Sequence, residues 1–301
     1  MLPPKGSERR GQVSVGVPSV SIEPGTLYVV ATPIGNLGDL SPRAVTVLGG
    51  VDLVAAEDTR HTQRLLSHLG LSVRLCSLHE HNEGARLAGL LQLLAERGSV
   101  ALVSDAGTPL ISDPGFRLVR AAQEQGYPVR PIPGPCSPVA ALSVAGLPSD
   151  RFVFEGFLPS RAPARSARLQ ELAGETRTLV FLEAPHRVEA TLLAMARVLG
   201  AEREAALARE LTKLHEQVVR ADLGELCSRV ATTPELRRGE IVLLVRGREQ
   251  ANVTSEAEVR RLLALLATEL PPARAAALAA RITGRARREL YELVRELAGE
   301  P

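Results

Sequence analysis

Lys213 is the first residue whose type invites a chemical reading. Lys and Arg together number 36, yet only Lys5 and Lys213 are lysines. Wherever a generic cation would serve, this sequence uses Arg. A Lys in the folded part is therefore expected to do what guanidinium cannot, which is to give up a proton. Acting as a base would require burial in a cleft to depress its pKa. Glu57, in Glu57-Asp58-Thr59-Arg60, is the second candidate. Adjacent acids at a strand end are expensive if buried and unused. Asp58 has a helix to cap, and Glu57 has no such task. His79-Glu80-His81-Asn82-Glu83, with Cys76, has the residue types of a metal cluster but not its full ligand set. It reads as a hydrogen-bonding loop, and no metal is expected. Glu183-Ala184-Pro185-His186-Arg187 and Arg209-Glu210-Leu211-Thr212-Lys213 also end strands with polar groups, and Gly239-Glu240 precedes one.

Three loops rich in Gly and Pro could hold a ligand: Thr32-Pro33-Ile34-Gly35-Asn36-Leu37-Gly38-Asp39, Ser104-Asp105-Ala106-Gly107-Thr108-Pro109, and Pro133-Gly134-Pro135-Cys136-Ser137. Glycine lets backbone approach a ligand closely. Exposed amides beside a carboxylate suit a ligand carrying an amino acid and a nucleoside. The third loop opens a helix whose free N–H groups could receive a carboxylate. One such loop would be an ordinary turn, whereas three on one sheet edge indicate a shared site. Neither G-x-G-x-x-G nor G-x-x-x-x-G-K-[ST] occurs, which disfavours dinucleotide and P-loop sites.

Periodicity supplies the elements that position these residues. Strands are predicted at 27–32, 51–56, 73–77, 100–104 and 128–132, with helices between them. This alternation predicts an α/β unit with a mostly parallel sheet covered on both faces. A second α/β unit follows, with strands at 152–155, 178–183, 205–209, 216–220 and 240–246. Helices are expected at 164–172, 186–199 and 223–230. Three more, at 256–269, 273–282 and 285–297, form a helical appendix. The division is a flexible tail at 1–24, domains at 25–145 and 146–250, with 247–255 as linker, and the appendix at 251–301.

Composition sets outer bounds. With 301 residues, 45% of them hydrophobic, the chain suits two domains and a small third. A net charge of +2 does not announce a nucleic-acid binder, so such a role must rest on local patches. The segment 156–170, with Arg161, Arg165 and Arg168, contains no acid, and Arg281, Arg285, Arg287 and Arg288 form another acid-free cluster. Both are candidate phosphate contacts. Cys76, Cys136 and Cys227 are an odd set that suits a reducing compartment. No apolar run is long enough to span a membrane, and no secretory h-region opens the chain, so a soluble cytoplasmic protein is expected.

The strings TPIGNLGD (32–39), AAEDTRHT (55–62), HEHNE (79–83), LVSDAGTPLISDPG (102–115), PIPGPCS (131–137), EAPHR (183–187), ARELTK (208–213) and GEIVLLV (239–245) occur in order. In them the chain resembles the bacterial small-subunit (16S) ribosomal RNA 2′-O-methyltransferases of the tetrapyrrole-methylase superfamily. The resemblance implies two α/β units with S-adenosylmethionine in the cleft between them, and a homodimer. It puts the cofactor on Pro33, on Asp105, Ala106, Gly107, Thr108 and Pro109, on Gly134, Pro135, Cys136 and Ser137, and near Leu182, Arg209 and Gly239. Glu57, Asp58, Thr59, Arg60, His79, Asn82 and Arg187 would face the nucleotide. The implied target is a cytidine ribose of the decoding region, in free RNA or in the assembled subunit. Leu182 and Ala184 depart from the pattern, which carries an aromatic and often Ser or Thr there. A tetrapyrrole or protein side chain is the alternative substrate, and a non-catalytic ribosome-binding factor is the alternative of another class. The proton of the 2′-hydroxyl would go to Lys213 first and Glu57 second.

Overall fold

The computed structural model describes residues 21–79, 81–249 and 256–298. Most of the expected tail, and linker positions 250–255, lie outside the described residues. Ile22 already packs against the first core, and Glu23 pairs with Arg130, so the chain joins the sheet before β1.

Short apolar runs form the first sheet. β1 (Leu27–Val30), β2 (Leu53–Ala56), β3 (Leu75–Ser77), β4 (Val100–Val103) and β5 (Val129–Ile132) lie in the order β3-β2-β4-β1-β5. All pairs are parallel. Alternate strand residues feed two cores, Val30, Val54 and Ala101 on one face and Leu27, Ala55 and Leu102 on the other. This is the two-sided burial a parallel sheet requires. Helices α1 (Pro42–Gly50), α2 (Thr59–His68), α3 (Glu83–Ala95), α4 (Phe116–Glu124) and α5 (Ser137–Val144) connect the strands or follow the last one. Ser41 caps α1 as its type predicts, its side chain accepting from Ala44 N–H. Register pairs Val30 with Ile132, Val29 with Leu102 and Ala56 with Val103. The strands therefore end nearly level, and their loops leave from one edge.

The second sheet is mixed. β6 (Phe152–Phe157) runs parallel to β7 (Thr178–Glu183), with an irregularity between Phe154 and Gly156. β10 (Ile241–Val245) then pairs antiparallel with β7 and with β8 (Glu204–Arg209), and β9 (Gln217–Asp222) closes the edge. Ile241 stands opposite both Glu183 and Arg209. The ends of β7 and β8 and the start of β10 consequently meet at one place. Helices α6 (Ala162–Leu172), α7 (Val188–Leu199) and α8 (Leu223–Thr232) cover one face of this sheet. The other face, through Val180, Ala208 and Val242, packs on Ile34 and on Ala141 and Leu142 of α5, which joins the two halves. α9 (Glu256–Glu269), α10 (Pro272–Thr283) and α11 (Arg287–Ala298) build a separate small core around Val259, Ala276 and Leu290.

Candidate functional site

The three Gly/Pro loops are knitted together. Thr32 and Gly107 exchange backbone hydrogen bonds of 2.8 and 3.1 Å. Thr108 donates its hydroxyl to the Pro135 carbonyl at 2.9 Å, joining the second loop to the third. Gly107 has φ +83°, and a Cβ there would stand 3.2 Å from Ile34; one at Gly134 would stand 3.0 Å from the Ala31 Cβ. At these two positions glycine is what lets the loops close up. Cys136 precedes α5 without a side-chain cap, so first-turn amides are left for a ligand.

The loops open on a cleft of about 460 Å³, within the range of small-molecule sites. Of the residues expected to hold the cofactor or do chemistry, Pro33, Asp105, Ala106 and Lys213 line it, together with Thr32, Ile34, Gly35, Leu37 and Ser104 of the same loops and Glu240 before β10. A narrow void of about 20 Å³ shares Ile34 and Glu240 with the cleft and is walled by Ser137. Gly107, Thr108, Pro109, Gly134, Pro135 and Cys136 shape the loops behind this lining. Leu182 is half-buried on the face of the second sheet that packs against Ile34. Arg209 is buried, and its guanidinium donates to the carbonyls of Arg238 at 3.1 Å and His215 at 3.2 Å.

Lys213 reaches the cleft from a contorted loop. Glu210 and Thr212 both have left-handed backbones, with φ +49° and +66°. Lys213 Nζ donates to Glu210 Oε1 at 2.9 Å and lies 3.3 Å from Glu240 Oε2. The Glu210 carboxylate also accepts from Glu240 N–H at 3.0 Å and lies over Gly239, where a Cβ would fall 2.2 Å from it. Burial alone would lower the Lys213 pKa, but the flanking carboxylates outweigh it and raise it. The Lys213 hydrogen bond in turn holds Glu210 below the usual carboxylate range. A base role called for a depressed lysine pKa, and in this arrangement the shift has the opposite sign.

The other strand ends meet nearby. Asp58 caps α2, and its carboxylate is taken by the Arg60 side chain, which holds it well below the usual range. Asp58 N–H donates to Asp105 at 3.0 Å, and Asp105 N–H donates to half-buried Glu57 at 3.5 Å. Thr59 opens α2. His79 N–H is held by the Asn82 side chain, and the His79 Nδ1 is buried without a hydrogen-bond partner. Buried Glu83 accepts from Arg117 and Leu118 N–H, capping α4 where Gly115 offers no side chain. Among the described residues no group of His, Cys, Asp and Glu assembles as a metal site.

Residues 26–227 match the family described as Tetrapyrrole (Corrin/Porphyrin) Methylases, and residues 253–298 match the RsmI C-terminal HTH domain. The ribosomal RNA small subunit methyltransferase I of Xylella fastidiosa is 53% identical over 268 residues, covering 89% of this chain and 98% of the relative. That of Pseudomonas aeruginosa is 53% identical over 278 residues, covering 92% and 99%. This chain belongs to the ribosomal RNA small subunit methyltransferase I family of tetrapyrrole methylases. The solved structure of the methyltransferase CobJ shares the fold, with a TM-score of 0.55 at 20% identity over 74% of this chain and 94% of that one.

For a member of this family the arginines of α6 are a correction. The stretch is acid-free in sequence but not in space. Arg168 is gripped by Glu155 of β6 at 2.7 Å and by Glu171 at 2.5 Å. Arg165 is buried, donating to the Ser160 carbonyl at 3.2 Å. Only Arg161, the residue before α6, stays exposed. Arg187 is also occupied, bonding the Leu158 carbonyl and lying 3.1 Å from buried Glu183. In the appendix Arg285 pairs with Glu256 and Glu289, and Arg288 with Glu292. Sequence reasoning gave no site role to five residues of α2 in the cleft wall, His61, Thr62, Arg64, Leu65 and His68, and it noted Glu240 before a strand without giving it one. Helical spacing placed the α2 residues on one face but did not mark that face as a site.

Proposed function

We propose that this chain transfers a methyl group from S-adenosylmethionine to a ribose 2′-hydroxyl of small-subunit ribosomal RNA, at a cytidine of the decoding region. The near-complete alignment at 53% identity with relatives named for small-subunit RNA carries the substrate class. Support for the cofactor comes from the close-set glycine loops and the uncapped α5 terminus. Pro33, Asp105–Pro109 and Gly134–Ser137 would hold it, with Leu182, Arg209 and Gly239 behind. S-adenosylmethionine, when bound, supplies a sulfonium methyl.

The chain's own task is to hold the ribose hydroxyl and receive its proton. Lys213 keeps its proton at neutral pH, so we assign it the part of a fixed cation beside that hydroxyl, which such a charge makes more acidic. Glu57 is then the assigned proton acceptor. Glu57→Gln is expected to lower kcat roughly a hundredfold with cofactor affinity kept. Lys213→Arg retains the charge and is expected to keep most of the rate. A loss of roughly a hundredfold there would return the base role to Lys213.

The test of the reaction offers labelled cofactor to isolated small subunits, to naked small-subunit RNA and to uroporphyrinogen. Label is expected in RNA, at a cytidine whose 3′ linkage then resists alkali, because a methylated 2′-oxygen cannot attack the phosphorus. Label in uroporphyrinogen or in ribosomal protein instead, or subunit binding without transfer, would overturn the proposal. A cytoplasmic setting follows from the substrate. The homodimer is carried over from the family resemblance, and a monomer in sedimentation equilibrium would reject it.

A further inference from the structure

Helix α2 turns one stripe of side chains to the cleft. His61, Arg64, Leu65 and His68 follow the i, i+3, i+4, i+7 spacing of a single helix face, and all four line the cleft that also holds Lys213. The helix is not free to roll, because Leu66, turned away from the cleft, and Thr62, at the edge of its lining, are buried. His61, Arg64 and His68 are exposed. The sequence carries no Asp or Glu anywhere from 59 to 79. The acids that share the cleft are Asp105 and Glu240, and Glu240 already lies against Lys213. Asp58, at the first turn, is taken by Arg60. Among the described residues no carboxylate pairs with Arg64.

We infer that this stripe grips the phosphodiester backbone beside the target nucleotide, with Arg64 as the principal phosphate ligand. This rests on the RNA reading above. A guanidinium fork matches two phosphate oxygens, and imidazole N–H groups at His61 and His68 add donors on either side. Leu65 offers an apolar contact to a sugar or base. Phosphate contacts fix register without reading sequence. Across the cleft from Lys213, they would hold the strand where one ribose meets the loop residues.

The experiment measures affinity for a small-subunit ribosomal RNA transcript against salt, for the parent and for a variant with His61→Gln, Arg64→Gln and His68→Gln together. Calorimetry with S-adenosylhomocysteine and a melting curve accompany it, and Arg197→Gln, at an exposed position of α7, controls for charge lost elsewhere. The variant is expected to bind RNA roughly tenfold more weakly, with a log–log salt slope shallower by about one. Its cofactor affinity and melting temperature should stay at parent values. An unchanged slope, or a slope change matched by Arg197→Gln, rejects the stripe. Lost cofactor binding with RNA affinity intact would assign the stripe to the cofactor and also reject the inference. A parent that binds no RNA fails the RNA reading itself, and this inference falls with it.

Discussion

Helices α2 and α6 each carry arginines on a stretch free of acids in sequence, and the fold treats them differently. On α6 the protein supplies the partners: Arg168 has two carboxylates, and Arg165 has a carbonyl in a buried setting. On α2 the stripe faces an open cleft, and among the described residues no carboxylate holds Arg64. A cation is available to a ligand only when tertiary neighbours leave it so. Glu155, thirteen residues before Arg168, is the neighbour that separates the two cases.

The strongest challenge to this contrast is charge reversal. Arg64→Glu is expected to weaken RNA binding by on the order of a hundredfold at low salt. If Arg168→Glu did equal harm while the protein stayed folded, the contrast would fail. Next in size is Arg165→Ala, which removes a buried guanidinium and leaves the Ser160 carbonyl without that donor. Denaturant unfolding should show a loss of about 1–3 kcal/mol, with the salt slope of RNA binding unaltered.

Lys213 is the intermediate case, a cation in the cleft that nevertheless has partners, and pH sharpens its position. Glu210 has a depressed pKa, so its contribution is present above the ordinary carboxylate range and is lost as pH falls through its folded value. Lys213 has a raised one, so its contribution is present below the ordinary lysine value and is lost as pH rises through its folded value. The pair is therefore intact across neutral pH. With lysine labelled at Cε, only two residues give signals. The Lys213 signal should titrate at higher pH in the native chain than in the unfolded one, and Glu210→Gln should shift it down. A native titration below the unfolded value would contradict the pairing. The smallest effect expected is that of Glu155→Gln, which loosens Arg168 at a cost of under about 1 kcal/mol. It should steepen the salt dependence of RNA binding slightly, and a flatter slope would count against the contrast.

The first sheet was legible because its strands are apolar runs that stop at Gly- and Pro-rich loops, and parallel strands all release those loops at one edge. The second half was harder to read. Its antiparallel strands bring the end of β8 against the start of β10, so Glu240 reaches the site from before a strand and not after one. The sign of the Lys213 shift depends on that same Glu240 and on the turn of Glu210 into left-handed backbone, neither of which spacing reveals. His61, Arg64 and His68 look in sequence like any polar helix face, and only the cleft beside them distinguishes them.

Gly35 and Lys213 belong to opposite halves, and a Cβ on Gly35 would fall 2.4 Å from the Lys213 Cγ. That contact makes Gly35 a gauge block for the cleft. Alanine there would act as a shim about one methyl group thick between the first loop and the lysine stem, displacing one or the other. The room that the lysine stem occupies is thus left by an absent carbon atom. A side chain at position 35 would press on the stem of Lys213 itself, 2.4 Å from Cγ and 2.9 Å from Cε, so its size would bear directly on where that ammonium group stands.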